Sequence, residues 1–270
     1  MSHIARTFLF VPGDRPERFA KAASSGAHDI ILDLEDAVGM DAKPHAREQV
    51  REWLGASGAR ALVRINAAAT PWFDEDLRMI QSLPDAAVML PKADVRSLSH
   101  VADALRGRRI VALLETVAAY LDLRALCGIA GVEQLAFGSV DFATESGIAD
   151  EDHALDAVRT RIVLESLGAG LLPPIDGVSV NFSDPEQIAR EARRSRQLGF
   201  GGKLCIHPAQ VAPVNAAFAP SAAELDWARR VLAAFEASAG AATSLDGKMI
   251  DKPLVDKARR IVETTAGHMS

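Results

Sequence analysis

Short apolar runs alternate along the chain with longer amphipathic segments. The apolar runs are rich in branched aliphatic and aromatic residues, and segments of roughly ten to eighteen residues with helical periodicity separate them. Parallel strands covered on both faces have this continuous apolar character, and each needs a crossover connection to the next. The pattern predicts eight strands, which lie in TFLFVPG from Thr7, DIILDLED from Asp29, ALVRINA from Ala61, AVMLPKA from Ala87, RIVALLET from Arg109, EQLAFGS from Glu133, IDGVSVN from Ile175 and KLCIHP from Lys203.

The eight predicted βα units indicate an α/β protein with a single (β/α)₈ TIM barrel. The chain has 270 residues, 49% of them hydrophobic, and about 250 residues is the usual length of such a barrel. We expect the catalytic barrel over residues 1–220. Residues 221–270 are expected to form a C-terminal helical extension, with a helix over 222–238, the turn-rich loop AGAATSLDGKMIDKP and a short last helix, LVDKARRIVETTA. This extension is expected to pack on the barrel or to reach a neighbouring subunit.

The first predicted helix, in PERFAKAASSG, has clear start and stop signals. Pro16 suits a first helical position and Gly26 suits a stop. Asp14 and Glu17 have the spacing of a capping box. The sequence therefore predicts a capped helix directly after the first strand.

Charge and cysteine content exclude several functions. The net charge of −6 disfavours nucleic-acid binding, which needs a basic surface. Cys127 and Cys205 lie far apart, so neither a disulfide framework nor a C-x-x-C metal site is expected. The apolar run before Pro12 is too short for a signal-peptide core, and no stretch approaches membrane-spanning length. We expect a cytoplasmic protein with neither a membrane nor a nucleic-acid partner.

Polar residues follow several predicted strands at the point where each ends. In (β/α)₈ barrels, side chains at the carboxyl ends of the strands meet at one rim and form the active site. The residues of this chain that fall there are Glu35, Asp36, Arg64, Lys92, Glu115, Asp141 and His207.

Glu115 and Asp141 are the candidate metal ligands. They follow the fifth and sixth strands, and carboxylate oxygens suit Mg²⁺ or Mn²⁺. Alternatively, Glu115 is a first-turn acid of the next helix and Asp141 caps a turn. Gly138 favours the ligand interpretation, since a glycine just past a strand lets backbone N–H groups approach an anion closely.

Arg64 stands among apolar neighbours and needs an anion. A substrate carboxylate fits, and an ion pair with Asp33, Glu35 or Asp36 is the alternative. Alternation along a strand sends Asp33 and Glu35 to one side and Asp36 to the other, so we do not expect all three to contact one ion. Glu35 and Asp36 suit hydrogen bonds to metal-bound water, with capping or pairing to Arg64 as the alternative.

A coenzyme site is suggested by basic residues. Arg15, Arg18 and Lys21 follow the first strand at helical spacing and could bind phosphates, although they could equally be solvated helix charges. His207 is a candidate acid, base or adenine contact, and a structural histidine before a proline is the alternative.

Eight motifs occur in this order along the chain: RTFLFVPGDRPERFAKA, IILDLEDAV, VRIN, LPKAD, LLET, FGSVDFATESG, CIHPAQV and DGKMIDKP. Together they resemble the citrate lyase β-subunit-like family of acyl-CoA lyases, in the phosphoenolpyruvate/pyruvate barrel superfamily. The match spans nearly the whole chain. The resemblance implies that Glu115 and Asp141 bind Mg²⁺ (or Mn²⁺), with water ordered by Glu35 and Asp36. It implies that the oxo acid is bound by Arg64, Gly138 and Ser139, and that Asp251 of an adjacent subunit transfers a proton. It also implies that coenzyme A is bound by Arg15, Arg18 and His207.

The resemblance also implies a reaction and an assembly. A 3-hydroxyacyl-CoA thioester of the citryl, malyl or citramalyl type would be cleaved to acetyl-CoA and oxaloacetate, glyoxylate or pyruvate, in a homotrimer or hexamer. Malyl-CoA thioesterase or malate-synthase-like activity, and a non-catalytic metabolite-binding barrel, are the alternatives. PGDRPERF resembles the stand-alone relatives, which favours free CoA thioesters over a carrier-bound substrate. SVD at 139–141 departs from the family's AED, so the resemblance does not determine the detailed shape of the substrate pocket.

Overall fold

The computed structural model describes residues 5–57, 60–238 and 241–266. The chain forms two compact units, one ending at Ala216 and the other beginning at Ala217. In the described ranges, no helix is long and apolar enough to cross a membrane.

The first unit is built on a closed barrel of eight parallel strands, as the apolar pattern predicts. Each strand pairs with the next in sequence, and β8 pairs with β1 to close the barrel. The strands are β1 Thr7–Pro12, β2 Asp29–Asp33, β3 Leu62–Arg64, β4 Ala87–Leu90, β5 Ile110–Leu114, β6 Val132–Phe137, β7 Ile175–Asp176 and β8 Gly202–Cys205. The predicted strand IDGVSVN is reduced to its first two residues.

The barrel core takes side chains from all eight strands, as the layered interior of this fold requires. These side chains are Phe8, Ile31, Leu62, Met89, Val111, Leu113, Ala136, Ile175 and Leu204, and each is buried. Their packing fixes the register of the strands and hence the positions of the residues that follow them.

Helices connect the strands and surround the barrel. They are α1 Phe19–Ala23, α2 Lys43–Ser57, α3 Phe73–Ser82, α4 Val95–Ala104, α5 Val117–Leu121, α6 Leu123–Cys127, α7 Ser139–Ser146, α8 Asp156–Gly168, α9 Pro185–Leu198 and α10 Val211–Phe218. Several begin with side-chain caps: Asp94 accepts from the N–H of Ser97 before α4, and Thr116 accepts from the N–H of Ala119 before α5.

The start of the first helix differs from the prediction. Pro16–Arg18 form a 3₁₀ turn before α1, and Arg15 is the N-cap without a side-chain cap hydrogen bond. The capping box predicted from Asp14 and Glu17 is therefore wrong. Spacing alone does not form a capping box: Oδ1 of Asp14 is buried and accepts no hydrogen bond.

The second unit holds two further helices and a hairpin. They are α11 Ala222–Ala237, β9 Thr243–Leu245, β10 Lys248–Ile250 and α12 Lys252–Ala266. A small apolar core includes Ala228, Val231, Ile250, Val255 and Ala258. Both helices were predicted.

The segment predicted as a turn-rich loop contains the antiparallel pair β9–β10. Asp246 and Gly247 join the two strands, and both have positive φ, at 50° and 75°. Asp-Gly is the dipeptide that favours such a two-residue hairpin turn, so the sequence did contain a signal for this hairpin.

Candidate active site

The charged residues of the C-terminal barrel rim come from the ends of several strands. β2 ends at Asp33, β3 ends at Arg64, and Glu115 directly follows β5. Because the strands are all parallel, these ends lie at one rim. The buried strands thus hold several charged side chains together.

Arg64 is the centre of an ion-pair network. Its Nε and Nη2 donate to the two oxygens of Asp33 at 2.7 and 2.6 Å, a bidentate pair. Its guanidinium carbon lies 4.7 Å from the ring centroid of Phe10. Burial lowers the pKa of Arg64, but the hydrogen bonds and charge of Asp33 outweigh this effect and raise the pKa above its ordinary value. The ion pair considered as an alternative is present, and binding of a substrate carboxylate stays a prediction.

Arg64 also contacts the other two acids of the DLED motif. Its Nη1 lies 3.1 Å from Oε2 of Glu35 and 3.7 Å from Oδ2 of Asp36. All three acids therefore contact this guanidinium, while the expectation that they do not all contact one metal ion stays a prediction. Strand alternation ends with β2 at Asp33, whose carboxylate accepts the N–H groups of Glu35 and Ala37 and turns the chain.

Glu115 is a buried carboxylate, with 2% of its surface exposed. Oε2 accepts the backbone N–H of Lys92 at 2.7 Å. Burial, with a contribution from the charge of Glu35, raises the pKa of Glu115 to about 8. This environment therefore favours a nearby positive charge, which would stabilise the anion.

Gly138 makes room for Glu115. A Cβ atom at position 138 would lie 2.4 Å from Cγ of Glu115, closer than two carbon atoms can pack. The N–H of Gly138 donates to the carbonyl oxygen of Leu114 at 2.8 Å, so this N–H is already used between β5 and β6. N–H groups for an anion would have to come from the first turn of α7, which a helix leaves without intrahelical partners.

Lys92 bridges two rim carboxylates. It donates from its backbone N–H to Glu115 and from Nζ to Oε1 of Glu35, each at 2.7 Å. Its φ of +47° is in the left-handed region, which costs a residue other than glycine about 1–2 kcal/mol. The sequence placed Lys92 at the rim but gave no sign of this conformation or of its two partners.

Glu35 is buried between two cations. Burial raises its pKa, and the charges of Arg64 and Lys92 partly offset that increase. Its Oε2 is buried and makes no hydrogen bond, although it lies within ion-pair distance of Arg64. Asp36, by contrast, keeps 59% of its side chain exposed.

Asp141 lies in the first turn of α7, three residues after Gly138, and is exposed. An acid in this position is stabilised by the helix dipole. Ser139, the first residue of the same helix, is buried, and its Oγ makes no hydrogen bond. A Cβ atom on Gly177 would lie 2.2 Å from that oxygen, so Ser139 Oγ occupies the volume that a side chain at position 177 would need.

The residues predicted to bind coenzyme A are exposed, with local contacts. Arg15 and Arg18 lie 3.9 and 3.8 Å from the carboxylates of their neighbours Asp14 and Glu17. His207 accepts the N–H of Ala209 at its Nδ1, and its ring stacks on that of Phe182 with centroids 4.7 Å apart. The structural role considered for His207 is thus present, and coenzyme A binding stays a prediction for all three.

Asp251 belongs to the second unit. Oδ1 accepts the N–H of Leu254 at 3.2 Å, at the start of α12. A cavity of about 310 Å³ is lined by residues that include Phe235, Asp251, Val255 and Arg259. Asp251 is exposed, and its predicted proton transfer stays untested.

Three residues behind the rim were not singled out from the sequence. Lys43 is buried and donates from Nζ to the carbonyl oxygens of Leu34 and Glu35. Asp76 is buried and accepts from the N–H and Nδ2 of Asn66. They hold the backbone after β2 and β3, and no signal in the sequence indicated them, because Lys43 and Asp76 lie among other polar residues at the starts of α2 and α3.

The closed (β/α)₈ barrel makes this a TIM-barrel protein. Its acidic and basic side chains form ion pairs and hydrogen bonds at the C-terminal rim, where enzymes of this fold have their active sites. Residues 6–208 match the model of the HpcH/HpaI aldolase/citrate lyase family, and residues 162–268 match that of the C-C bond lyases of the TIM-barrel fold.

Individual relatives agree over nearly the whole chain. A citrate lyase subunit beta-like protein of Mycobacterium tuberculosis is 36% identical over 96% of both chains, and a (3S)-malyl-CoA thioesterase of Cereibacter sphaeroides is 33% identical over 96% of this chain and 94% of its own. The crystal structure of CitE from M. tuberculosis with magnesium, acetoacetate and coenzyme A is 33% identical, with a TM-score of 0.86 over 98% of this chain and 100% of that one. This chain therefore belongs to the HpcH/HpaI aldolase/citrate lyase family, which confirms the resemblance to citrate lyase β-subunit-like proteins.

Proposed function

We propose that this protein is a magnesium-dependent carbon–carbon lyase. Its substrate would be a 3-hydroxyacyl-CoA thioester of the citryl, malyl or citramalyl type, and its products acetyl-CoA and an oxo acid. The observation that carries this proposal is the carboxylate of Glu115, which is 2% exposed at the catalytic rim of the barrel, where a buried anion needs a cation beside it.

Glu115 and Asp141 would hold the cation. Mg²⁺ takes hard oxygen ligands, usually one or two carboxylates with water and substrate in its other positions, and this donor set fits the two residues. Among residues 5–57, 60–238 and 241–266, no group of three or more His, Cys, Asp or Glu side chains is placed to hold a metal, so a two-carboxylate site is the form proposed. Bound there, the ion would supply Lewis acidity that lowers the pKa of the substrate hydroxyl.

The remaining rim residues would bind and orient the substrate. Arg64 would attract the carboxylate of the oxo-acid half, and its bidentate pair with Asp33 fixes the plane of its guanidinium. Glu35 and Asp36, both near Nη1 of Arg64, would accept hydrogen bonds from metal-bound water. Gly138 and Ser139 would place the start of α7 against the same anion.

The reaction requires two proton transfers. The hydroxyl proton would pass to a water molecule ordered by Glu35 and Asp36 as the C2–C3 bond breaks. The hydroxyl carbon becomes the carbonyl of the oxo acid, and the electron pair of the broken bond passes into the thioester enolate. Asp251 of a neighbouring subunit would then protonate the enolate carbon to give acetyl-CoA. This assignment includes a homotrimer or hexamer, in which the C-terminal extension of one chain completes the site of another.

Similarity to a known structure supports the coenzyme assignment. The M. tuberculosis CitE structure contains magnesium, acetoacetate and coenzyme A together. In this chain Arg15, Arg18 and His207 are exposed and would be accessible to a nucleotide and its phosphates.

A thioesterase is the second candidate function. The (3S)-malyl-CoA thioesterase of C. sphaeroides is 33% identical to this chain, almost as similar as the citrate lyase-like relatives. Such an activity would release malate and free coenzyme A without an oxo acid. Malate-synthase-like condensation followed by hydrolysis would consume glyoxylate and acetyl-CoA.

One set of assays separates these functions. Malyl-, citramalyl- and citryl-CoA are each incubated with the protein and Mg²⁺, while oxo acid and free thiol are measured in parallel. Oxo acid without thiol supports the lyase, and thiol without oxo acid supports the thioesterase. Binding of Mg²⁺ and oxaloacetate by calorimetry without turnover of any thioester would instead support a non-catalytic barrel.

Variants test the assigned residues. Glu115→Gln and Asp141→Asn are expected to abolish metal-dependent turnover, whereas Glu151→Gln, at an exposed position of the α7–α8 connection, should retain it. Mixed oligomers of Asp251→Ala and Glu115→Ala chains should regain part of the activity if the site is shared. Full activity of Glu115→Gln would exclude this metal site.

A further inference from the structure

Lys92 donates hydrogen bonds to both Glu35 and Glu115. It follows β4, between the strands that carry these two acids. Its backbone N–H reaches Oε2 of Glu115 and its Nζ reaches Oε1 of Glu35, each at 2.7 Å. A single residue thus uses both its donor groups on two carboxylates that repel each other.

The backbone of Lys92 is in the conformation that makes this possible. Its φ of +47° is unusual for a residue without special tolerance of the left-handed region. Such strain persists only where the surroundings determine it, and it occurs most often at functional sites. Pro91 before it and Ala93, whose N–H donates to the carbonyl oxygen of Leu113, hold the turn on both sides.

The ammonium of Lys92 supplies positive charge in the region where the acids concentrate negative charge. Its side chain is 43% exposed, whereas that of Glu35 is 6% exposed, so the ammonium lies at the solvent edge of a buried acid pair. A divalent cation approaching these acids would meet a like charge that already neutralises part of their field.

We propose that Lys92 is a positioning residue that orients Glu35 and Glu115 and, through its ammonium, weakens divalent-cation binding while supporting turnover. This inference rests on the proposed function. Removal of the ammonium leaves the negative charge of the two acids less compensated, so their affinity for a divalent cation rises. Turnover falls, because Glu35 loses the donor that holds its Oε1. Affinity and turnover therefore change in opposite directions, which a purely structural role does not produce.

The test compares Lys92→Met with Lys92→Arg. Mn²⁺ is the probe, and its binding is measured by electron paramagnetic resonance and calorimetry on the full-length protein without substrate. Lys92→Met is expected to bind Mn²⁺ about threefold to tenfold more tightly and to lose at least tenfold in kcat. Lys92→Arg keeps the charge and should recover most of both values. Lys92→Gln provides a second uncharged variant if Lys92→Met does not fold.

Arg106→Met is the matched control, because it removes one positive charge from a side chain that is 82% exposed and lies two residues after α4. It should leave both Mn²⁺ binding and kcat unchanged. Suppose that the wild type binds Mn²⁺ and turns over a thioester. The role of Lys92 is then overturned if folded Lys92→Met binds Mn²⁺ no more tightly than the wild type, or if its Mn²⁺ affinity equals that of Arg106→Met. A wild type that neither binds Mn²⁺ nor acts on a thioester would overturn the proposed function, and this inference with it.

Discussion

Gly138 and Glu115 share one volume at the barrel rim: a Cβ atom on the glycine would lie 2.4 Å from Cγ of the glutamate. The glycine follows β6 and the glutamate follows β5, and the N–H of Gly138 joins the two strands through the carbonyl of Leu114. The position of the buried carboxylate therefore depends on the absence of a side chain at position 138.

Gly138→Ala should therefore displace Glu115. We expect a loss of about 1–3 kcal/mol in the free energy of unfolding, typical of overpacking, and at least a hundredfold loss of turnover, since a 1 Å misplacement in an active site can cost that much. Denaturant unfolding and steady-state kinetics measure the two effects. Gly168→Ala is the control, because a Cβ there meets no atom within 4 Å. Unchanged turnover in Gly138→Ala would contradict the steric coupling.

Glu115 should make the cation-free protein less stable as pH rises. Its pKa is raised from 4.5 to about 8 in the folded protein, so between these values the folded state binds more protons than the unfolded state and stability falls with increasing pH. The slope from this group is up to about 1.4 kcal/mol per pH unit. Glu115→Gln should flatten the slope between pH 5 and 8 in urea unfolding with a chelator present. Identical slopes in both proteins would refute the assignment.

Asp33 should be essential to stability through Arg64. Its buried carboxylate makes a bidentate pair with the guanidinium, and removing one partner of a buried pair typically costs about 3–5 kcal/mol because the other charge is left uncompensated. Asp33→Asn should lose this amount in denaturant unfolding. Asp103→Asn, which breaks an exposed pair with Arg106, should barely change the midpoint. Equal effects of the two variants would show that the Arg64–Asp33 pair is not special.

Ser139→Ala tests whether the buried hydroxyl serves the fold or the substrate. Since Oγ makes no hydrogen bond, its removal should leave the melting temperature unchanged or slightly raised. A higher KM at unchanged stability is the expected result if Ser139 contacts the oxo acid. Ser97→Ala is the contrast, because Ser97 Oγ completes the capping box of α4 and its loss should cost about 1 kcal/mol. A clear loss of stability in Ser139→Ala would contradict an unpaired hydroxyl.

Replacements of Lys92 report on its backbone. Glycine tolerates φ of +47° and alanine does not, so Lys92→Gly should be about 1 kcal/mol more stable than Lys92→Ala. At Lys21, in α1, the order should reverse, because glycine destabilises a helix relative to alanine. Differential scanning calorimetry of the four variants measures both differences. The same order at the two positions would argue against a left-handed Lys92.

The barrel followed from the sequence because its causes are local, and the family followed from the resemblance of eight ordered motifs. An apolar run of parallel-strand character, such as IIL before Asp33 or IVALL before Glu115, carries its own signal, and eight such runs leave few folds to choose from. The rim position of Glu35, Arg64, Lys92 and Glu115 followed as well, since it depends only on where each strand ends.

The contacts among those residues were decided by the tertiary structure. Arg64 and Asp33 are 31 positions apart and Lys92 and Glu35 are 57 apart, so each pairing depends on strand register around a closed barrel rather than on neighbouring residues. Strand alternation does not continue past Asp33, because β2 ends there and the chain turns at its carboxylate. The left-handed turn at Lys92, the depth of Glu115 and the need for glycine at 138 arise only when β4, β5 and β6 pack side by side, because burial and steric exclusion are properties of the assembled rim.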